Sequence, residues 1–137
     1  VGLKDAIKKY LEQNAIACKD FGTFDTESID YVPIASKVAH GVVKGEGEYG
    51  ILCCGTGIGM SIAANKVDGI RAAVCSDSYC VEMTRRHNNA NVLCMGGRVI
   101  DEQKAVELVK VFLSTEFEGG RHQRRVDQIA AIERGEL

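Results

Sequence analysis

The chain has no surplus of basic charge. Its 17 lysines and arginines stand against 19 acidic side chains, a formal net charge of -2. That balance removes the electrostatic footprint on which nucleic-acid binding rests. No apolar run approaches the roughly 20 residues that a membrane-spanning helix needs, so a membrane partner is not expected either. The C-x-x-C spacing of redox sites and the C-x2-C…H spacing of zinc modules are both missing. Internal repeats, long linkers and low-complexity segments are missing too. Proline occurs once, as Pro33.

What is present argues for one packed domain over residues 1–137. Apolar residues make up 45% of the chain, which excludes disorder. Six cysteines invite a disulfide reading. However, Cys53, Cys54, Cys75 and Cys94 sit in or beside strand-like runs, and a chain this long does not need staples. They read as thiols in a reducing compartment, hence the cytosol.

The pattern along the chain alternates. "LKDAIKKYLEQ" (3–13) puts Leu3, Ile7, Tyr10 and Leu11 on one helical face. "AIACKDFG" reads as a short strand ending at Gly22, and "TFDTESIDYV" as a polar loop. Asp30 is a candidate cap for a helix with Pro33 in its first turn and Ile34, Val38 and Val42 inward. "YGILCC", "IRAAVC" and "NVLCMG" read as strands, each followed by a helical segment. In "DEQKAVELVKVFLS" the stripe is Val106, Val109 and Leu113. Residues 121–134 form a last helix. Four short strands alternating with helices predict a Rossmann-like three-layer α/β/α sandwich with a parallel sheet. Such a fold normally opens on a strand, and none precedes Leu3. A further segment before Val1 is therefore expected.

The densest chemistry lies in "CCGTGIG". Gly55, Gly57 and Gly59 stand between a strand and a helix, where successive N–H groups can converge on an anion. Their spacing is G-x-G-x-G, which is neither the dinucleotide fingerprint nor a Walker A loop. Ligands of parallel-sheet folds bind at this carboxyl edge. Thr56 adds a hydroxyl. Cys54 is the last residue before the turn, where N–H groups favour its anion. Taken alone, it is a base, a nucleophile or simply a small core residue. Cys53 points to the opposite face of the strand and reads as core.

Farther on, "TRRHNNANV" carries His87, Asn88 and Asn89 at a helix end. His87 is either a proton-transfer group near neutrality or a packed histidine. Asp77 is a cap or a site residue, His40 reads as surface and His122 is ambiguous. Arg121 and Arg125 are four apart and in line with Ile129 and Ile132, so they are expected beside the packing stripe. Two guanidinium forks there suit a phosphate, with Arg98 as a possible third. The apolar side of this helix predicts a partner subunit, with a two-fold dimer the commonest solution.

"ILCCGTGIGMSIAANKV", "TRRHNNANVL" and "EFEGGRHQRRVDQI" together resemble the ribose-5-phosphate isomerase type B family, and "DFGTFDTESIDY" fits as well. The resemblance implies aldose–ketose isomerisation of ribose 5-phosphate and ribulose 5-phosphate through an enediolate, with no metal and no organic cofactor. It makes Cys54 the base and the amides of Gly55 to Gly59 the anion hole. Thr56 holds or shuttles hydroxyl protons, His87 assists ring opening and Asn88 binds sugar hydroxyls. Arg98, Arg121 and Arg125 hold the phosphate. It further implies a homodimer or homotetramer with sites between subunits, the helix of 121–134 lying at the interface.

Some relatives carry a glutamate base where this chain has Met60, and galactose-6-phosphate isomerase subunits depart from "CGTGIG". Allose-6-phosphate isomerase activity remains the near alternative, and a non-catalytic phosphosugar-binding regulatory module the distant one. A redox thiol protein is disfavoured, because a disulfide between adjacent cysteines is strained. The family's first strand ends in an Asp-His pair that would lie before Val1.

Overall fold

The computed structural model describes residues 2–21 and 30–137. Gly22, the expected end of the first strand, and residues 23–29 of the expected loop, with most of "DFGTFDTESIDY", fall outside them. In chain order the elements are α1 (Gly2–Gln13), α2 (Val32–Val43), β1 (Gly50–Cys54), α3 (Ile58–Ala64) and β2 (Ala72–Val74). They are followed by α4 (Ser78–Asn88), β3 (Val92–Gly96), α5 (Glu102–Ser114) and α6 (Arg121–Glu133).

Among the described residues the sheet has three parallel strands in the order β1-β3-β2. Residues 15–21 of the fourth expected strand do not form one. Ala15 adopts φ 56° after α1, and Ile16 donates back to the Leu11 carbonyl. The segment then lies along α1, where Lys4 and Lys8 both reach Asp20 at 3.2 Å. Its apolar residues therefore follow a helix and do not join a ladder.

β3 runs through the centre and is buried along its whole length. Its side chains alternate between two cores, as the two-residue period of a strand requires. Leu93 and Met95 join Leu3, Ile7, Leu11, Val81, Leu108 and Phe112 on the α1–α4–α5 side. Val92 and Cys94 join Ala35, Ala39, Leu52, Met60 and Ala64 on the α2–α3 side. Each large side chain so buried contributes roughly 1.5–3 kcal/mol of transfer free energy.

The helix stripes differ from the expected ones by small rotations. On α2 the fully buried residues are Ala35 and Ala39, with Ile34, Val38 and Val42 packed half-buried at the sides. Alanines let this helix approach the sheet closely. On α5 the stripe is Ala105, Leu108, Val109 and Phe112. Asp77 and Asp101 cap α4 and α5, each accepting a backbone N–H at 2.8 Å. Asp30 does not cap α2, whose N-cap is Tyr31 with no side-chain bond; Pro33 does fall in the first turn.

Candidate active site

β1 ends in Cys53 and Cys54, and the alternation of the strand sends them to opposite layers. Cys53 packs on the α1–α5 side, and burial pushes its thiol up to about 11. Cys54 packs on the α2–α3 side and is only half-buried. Its Sγ accepts the Gly57 N–H at 3.1 Å. The sulfur therefore sits under the turn, with a backbone donor on it.

The turn is tight because β3 lies directly behind it. Gly57 has φ 83°, the left-handed region that glycine tolerates, and a Cβ there would stand 2.9 Å from the Met95 carbonyl carbon. A Cβ on Gly96 would come within 2.6 Å of the Thr56 backbone. Two further bonds stitch the rim together: Gly97 N–H to the Cys54 carbonyl at 2.7 Å, and Arg98 N–H to the Gly55 carbonyl at 3.0 Å. Thr56 is exposed, and its Oγ1 accepts the Ile58 N–H at 3.3 Å. The exposed Arg98 runs its side chain past Gly55. Cys54, Thr56, the three glycines and Arg98 thus share the carboxyl rim of the sheet. The hydroxyl of Tyr31 lies against Gly59 from the α2 side.

His87 and Asn88 stand at the other rim. They end α4, just before β3 begins at Val92, beside the start of β1, where the Gly50 N–H bonds to the Asn91 carbonyl. Asn89 closes the helix in the left-handed conformation. Cys54 pairs with Gly96 and Gly50 with Val92, so the length of β3 separates the two groups. At about 3.3 Å per residue that is roughly 13 Å.

α6 crosses this second rim. His122, 6% exposed, stacks on His87 with centroids 4.0 Å apart and planes 12° from parallel. Glu118 Oε1 lies 3.4 Å from His122 Nε2 and 3.8 Å from His87 Nε2. Burial, and then the charges of His87 and Arg121, hold His122 below the ordinary histidine value. Arg121 and Arg125 are both exposed, so the expectation that they adjoin the packing stripe is wrong. The stripe belongs to His122 and Val126, one residue further along the chain. Ile129 and Ile132 are exposed as well, at 41% and 60%.

Arg85 is the residue that sequence reasoning missed. It is 4% exposed and donates to the carbonyls of Thr115 and Ala90, to Asn89 Oδ1 and to the Tyr49 hydroxyl. It ties the end of α4 to the segments entering β1 and β3, and so fixes the frame on which His87 rides. Its only sequence signal is its place on the Val81 side of α4, one turn after that residue.

A thiol beside a glycine turn at one rim and paired imidazoles at the other sit on an α/β scaffold whose matches are aldose–ketose isomerases. A family model described as Ribose/Galactose Isomerase matches residues 1–129. The chain is 48% identical over 131 residues to "Ribose-5-phosphate isomerase B" of Escherichia coli, covering 96% of this chain and 88% of that protein. It superposes on the ribose-5-phosphate isomerase B of Clostridium thermocellum with TM-score 0.96 at 48% identity, covering 98% and 91% of the two chains. It also superposes on the Mycoplasma genitalium protein solved with bound ribulose-5-phosphate, with TM-score 0.92 at 40% identity over 96% and 88%. The chain belongs to the ribose/galactose isomerase family. Among the described residues no helix is long and apolar enough to cross a membrane.

Proposed function

We propose that this chain interconverts ribose 5-phosphate and ribulose 5-phosphate. The observation that carries the reading is the Gly57 N–H on the sulfur of Cys54, at the open end of a parallel sheet. From aldose to ketose, the Cys54 thiolate removes the proton from C2. The C2–H electron pair becomes the C1–C2 double bond, and the C1 carbonyl pair moves onto O1. The amides of Gly55 to Gly59 receive that charge. The proton then passes to C1, while the O2 hydroxyl proton moves to O1 with help from Thr56, leaving the C2 ketone. Preorganised donors matter here because an enediolate has no other home for its charge; one such donor is worth about 3 kcal/mol.

His87 assists opening of the furanose, Asn88 binds hydroxyls, and Arg98, Arg121 and Arg125 hold the phosphate. Since His87 and Cys54 occupy opposite rims of one chain, a complete site takes the thiol rim of one copy and the histidine rim of another. Exposed apolar pairs flank both halves: Ile58 and Ile62 beside the turn, and Ile129 and Ile132 on α6. The reading is therefore a homodimer or larger even assembly, with α6 in the interface.

The test is a coupled assay with ribose 5-phosphate and allose 6-phosphate side by side. Preferred turnover of the pentose supports the reading, and preferred turnover of the hexose moves the chain to allose-6-phosphate isomerisation. Binding of both without turnover would make it a phosphosugar-binding regulatory module.

A further inference from the structure

His87, Glu118 and His122 each offer one ligand atom, and the three atoms all lie within 4.8 Å of one another. Ligands held 2.0–2.1 Å from a tetrahedral ion stand roughly 3.4 Å apart. The Glu118–His122 separation is 3.4 Å and the Glu118–His87 separation 3.8 Å, so the carboxylate oxygen already sits at coordination distance from both imidazoles. Glu118 is held in that position. Its other oxygen takes Arg86 Nη1 at 3.4 Å, and Arg86 is itself anchored by Glu82 at 2.9 Å. The Glu118 N–H bonds to the Arg86 carbonyl. Carboxylate oxygen Oε1 is thereby turned toward the histidines, the outer-shell arrangement that metal-binding carboxylates use.

We propose that His87, Glu118 and His122 bind a divalent transition ion of the zinc class, and that the bound ion withdraws His87 from isomerisation. The second half rests on the role assigned to His87 above. Two imidazoles and one carboxylate select zinc, cobalt or nickel over magnesium and calcium, which want more oxygen ligands. Three protein ligands leave a position for water, the pattern of an exchangeable site. In the stacked pair the ring planes lie 12° from parallel and 4.0 Å apart, so one ion does not lie in both planes at once. Coordination therefore swings the rings about their Cβ–Cγ bonds, a soft torsion. Glu118 and His122 are four apart in the chain, and α4 brings His87 to them from a distant segment. The ion is a brake on the enzyme and takes no part in proton transfer.

The experiment titrates the full chain with cobalt chloride and then displaces the cobalt with zinc chloride. Expected are visible d–d bands from one cobalt per chain, no near-ultraviolet charge transfer from sulfur, and no response to magnesium chloride. His122→Ala and Glu118→Gln should each weaken the affinity at least about tenfold. Glu118 is exposed, so the Gln variant keeps the fold if the buried His122 variant does not. In the isomerase assay zinc should inhibit, and Glu118→Gln should raise the inhibition constant at least about tenfold relative to that variant's own metal-free rate.

Sulfur charge transfer, or cobalt affinity unchanged in both variants, would overturn the site. Bound zinc with undiminished turnover would overturn the brake. Because the cobalt bands report binding without substrate, a failure of the His87 assignment leaves a distinct signature: His87→Ala would remove the bands and spare turnover.

Discussion

The Gly57 N–H points at the sulfur of Cys54 from 3.1 Å, three residues down the chain and across a left-handed turn. Thiol and glycine turn therefore form one unit, built by a strand that stops where glycine lets the backbone reverse.

Cys54→Ala should lower kcat by at least about a hundredfold, the usual worth of a positioned base. Ribose 5-phosphate should still protect the variant against thermal unfolding, since the phosphate contacts remain. A steady-state assay paired with a melting curve checks both halves. Near-wild-type turnover would remove Cys54 from the mechanism.

The opposite placement of Cys54 and His87 makes a mixing experiment decisive. Cys54→Ala and His87→Ala should each be impaired alone. After dissociation and reassociation of an equal mixture, about half of the dimers are mixed, and each of those has one intact site of two. Recovery should approach about a quarter of wild-type activity. No recovery would mean that each chain completes its own site.

Arg121→Ala and Arg125→Ala should each cut kcat/KM by roughly ten- to a hundredfold. That corresponds to the ~1.5–3 kcal/mol of a charge-assisted hydrogen bond. Most of the loss should fall on KM, though remote phosphate binding also serves the reacting end. Inorganic phosphate should inhibit both variants less than wild type.

Gly57→Ala puts a Cβ 2.9 Å from the Met95 carbonyl carbon and forces an L-residue to φ 83°. The backbone term alone costs about 1–2 kcal/mol, and the contact adds to it. Denaturant unfolding should show the loss, with activity falling further than stability because the amide on Cys54 moves.

His122 is a stability group with a defined sign. Its folded value lies below the ordinary histidine value of ~6.5, with burial as the first cause. Below ~6.5 the unfolded chain binds the proton more readily than the folded one, so stability falls as pH drops through that value. Melting temperatures at pH 7.5, 6.5 and 5.5 should decline in that order, and His122→Gln should flatten the decline.

Parts of this architecture were legible from spacing alone. The face of α1 reads directly as Leu3, Ile7 and Leu11, because a helix on a sheet buries every third or fourth residue. Opposite destinations for Cys53 and Cys54 follow from the strand period. The tandem asparagines mark the end of α4, where Asn89 supplies the left-handed closure. Other parts were not legible. Residues 15–21 have strand-like composition but lie along α1, since local propensity does not say which neighbour a segment meets. The α5 stripe is centred on Leu108 and Phe112 because a sequence of many valines fits more than one helical phase. Arg85 stands among several charges at a helix end, and its burial depends on the carbonyls of Thr115 and Ala90 and on the Tyr49 hydroxyl. Glu118 and His122 are four apart in the chain, but the arrival of His87 beside them is a product of topology.

The register of β1 carries a consequence for the chemistry at its far end. Gly50 begins the strand opposite Val92, in a slot where any Cβ would collide with Val38. Sliding the strand by a single position would trade the two sulfurs between layers, sending Cys53 toward α2 and α3 and Cys54 toward α1 and α5. Which sulfur lies beneath the glycine turn thus hangs on a hydrogen atom in place of a methyl group, four residues upstream.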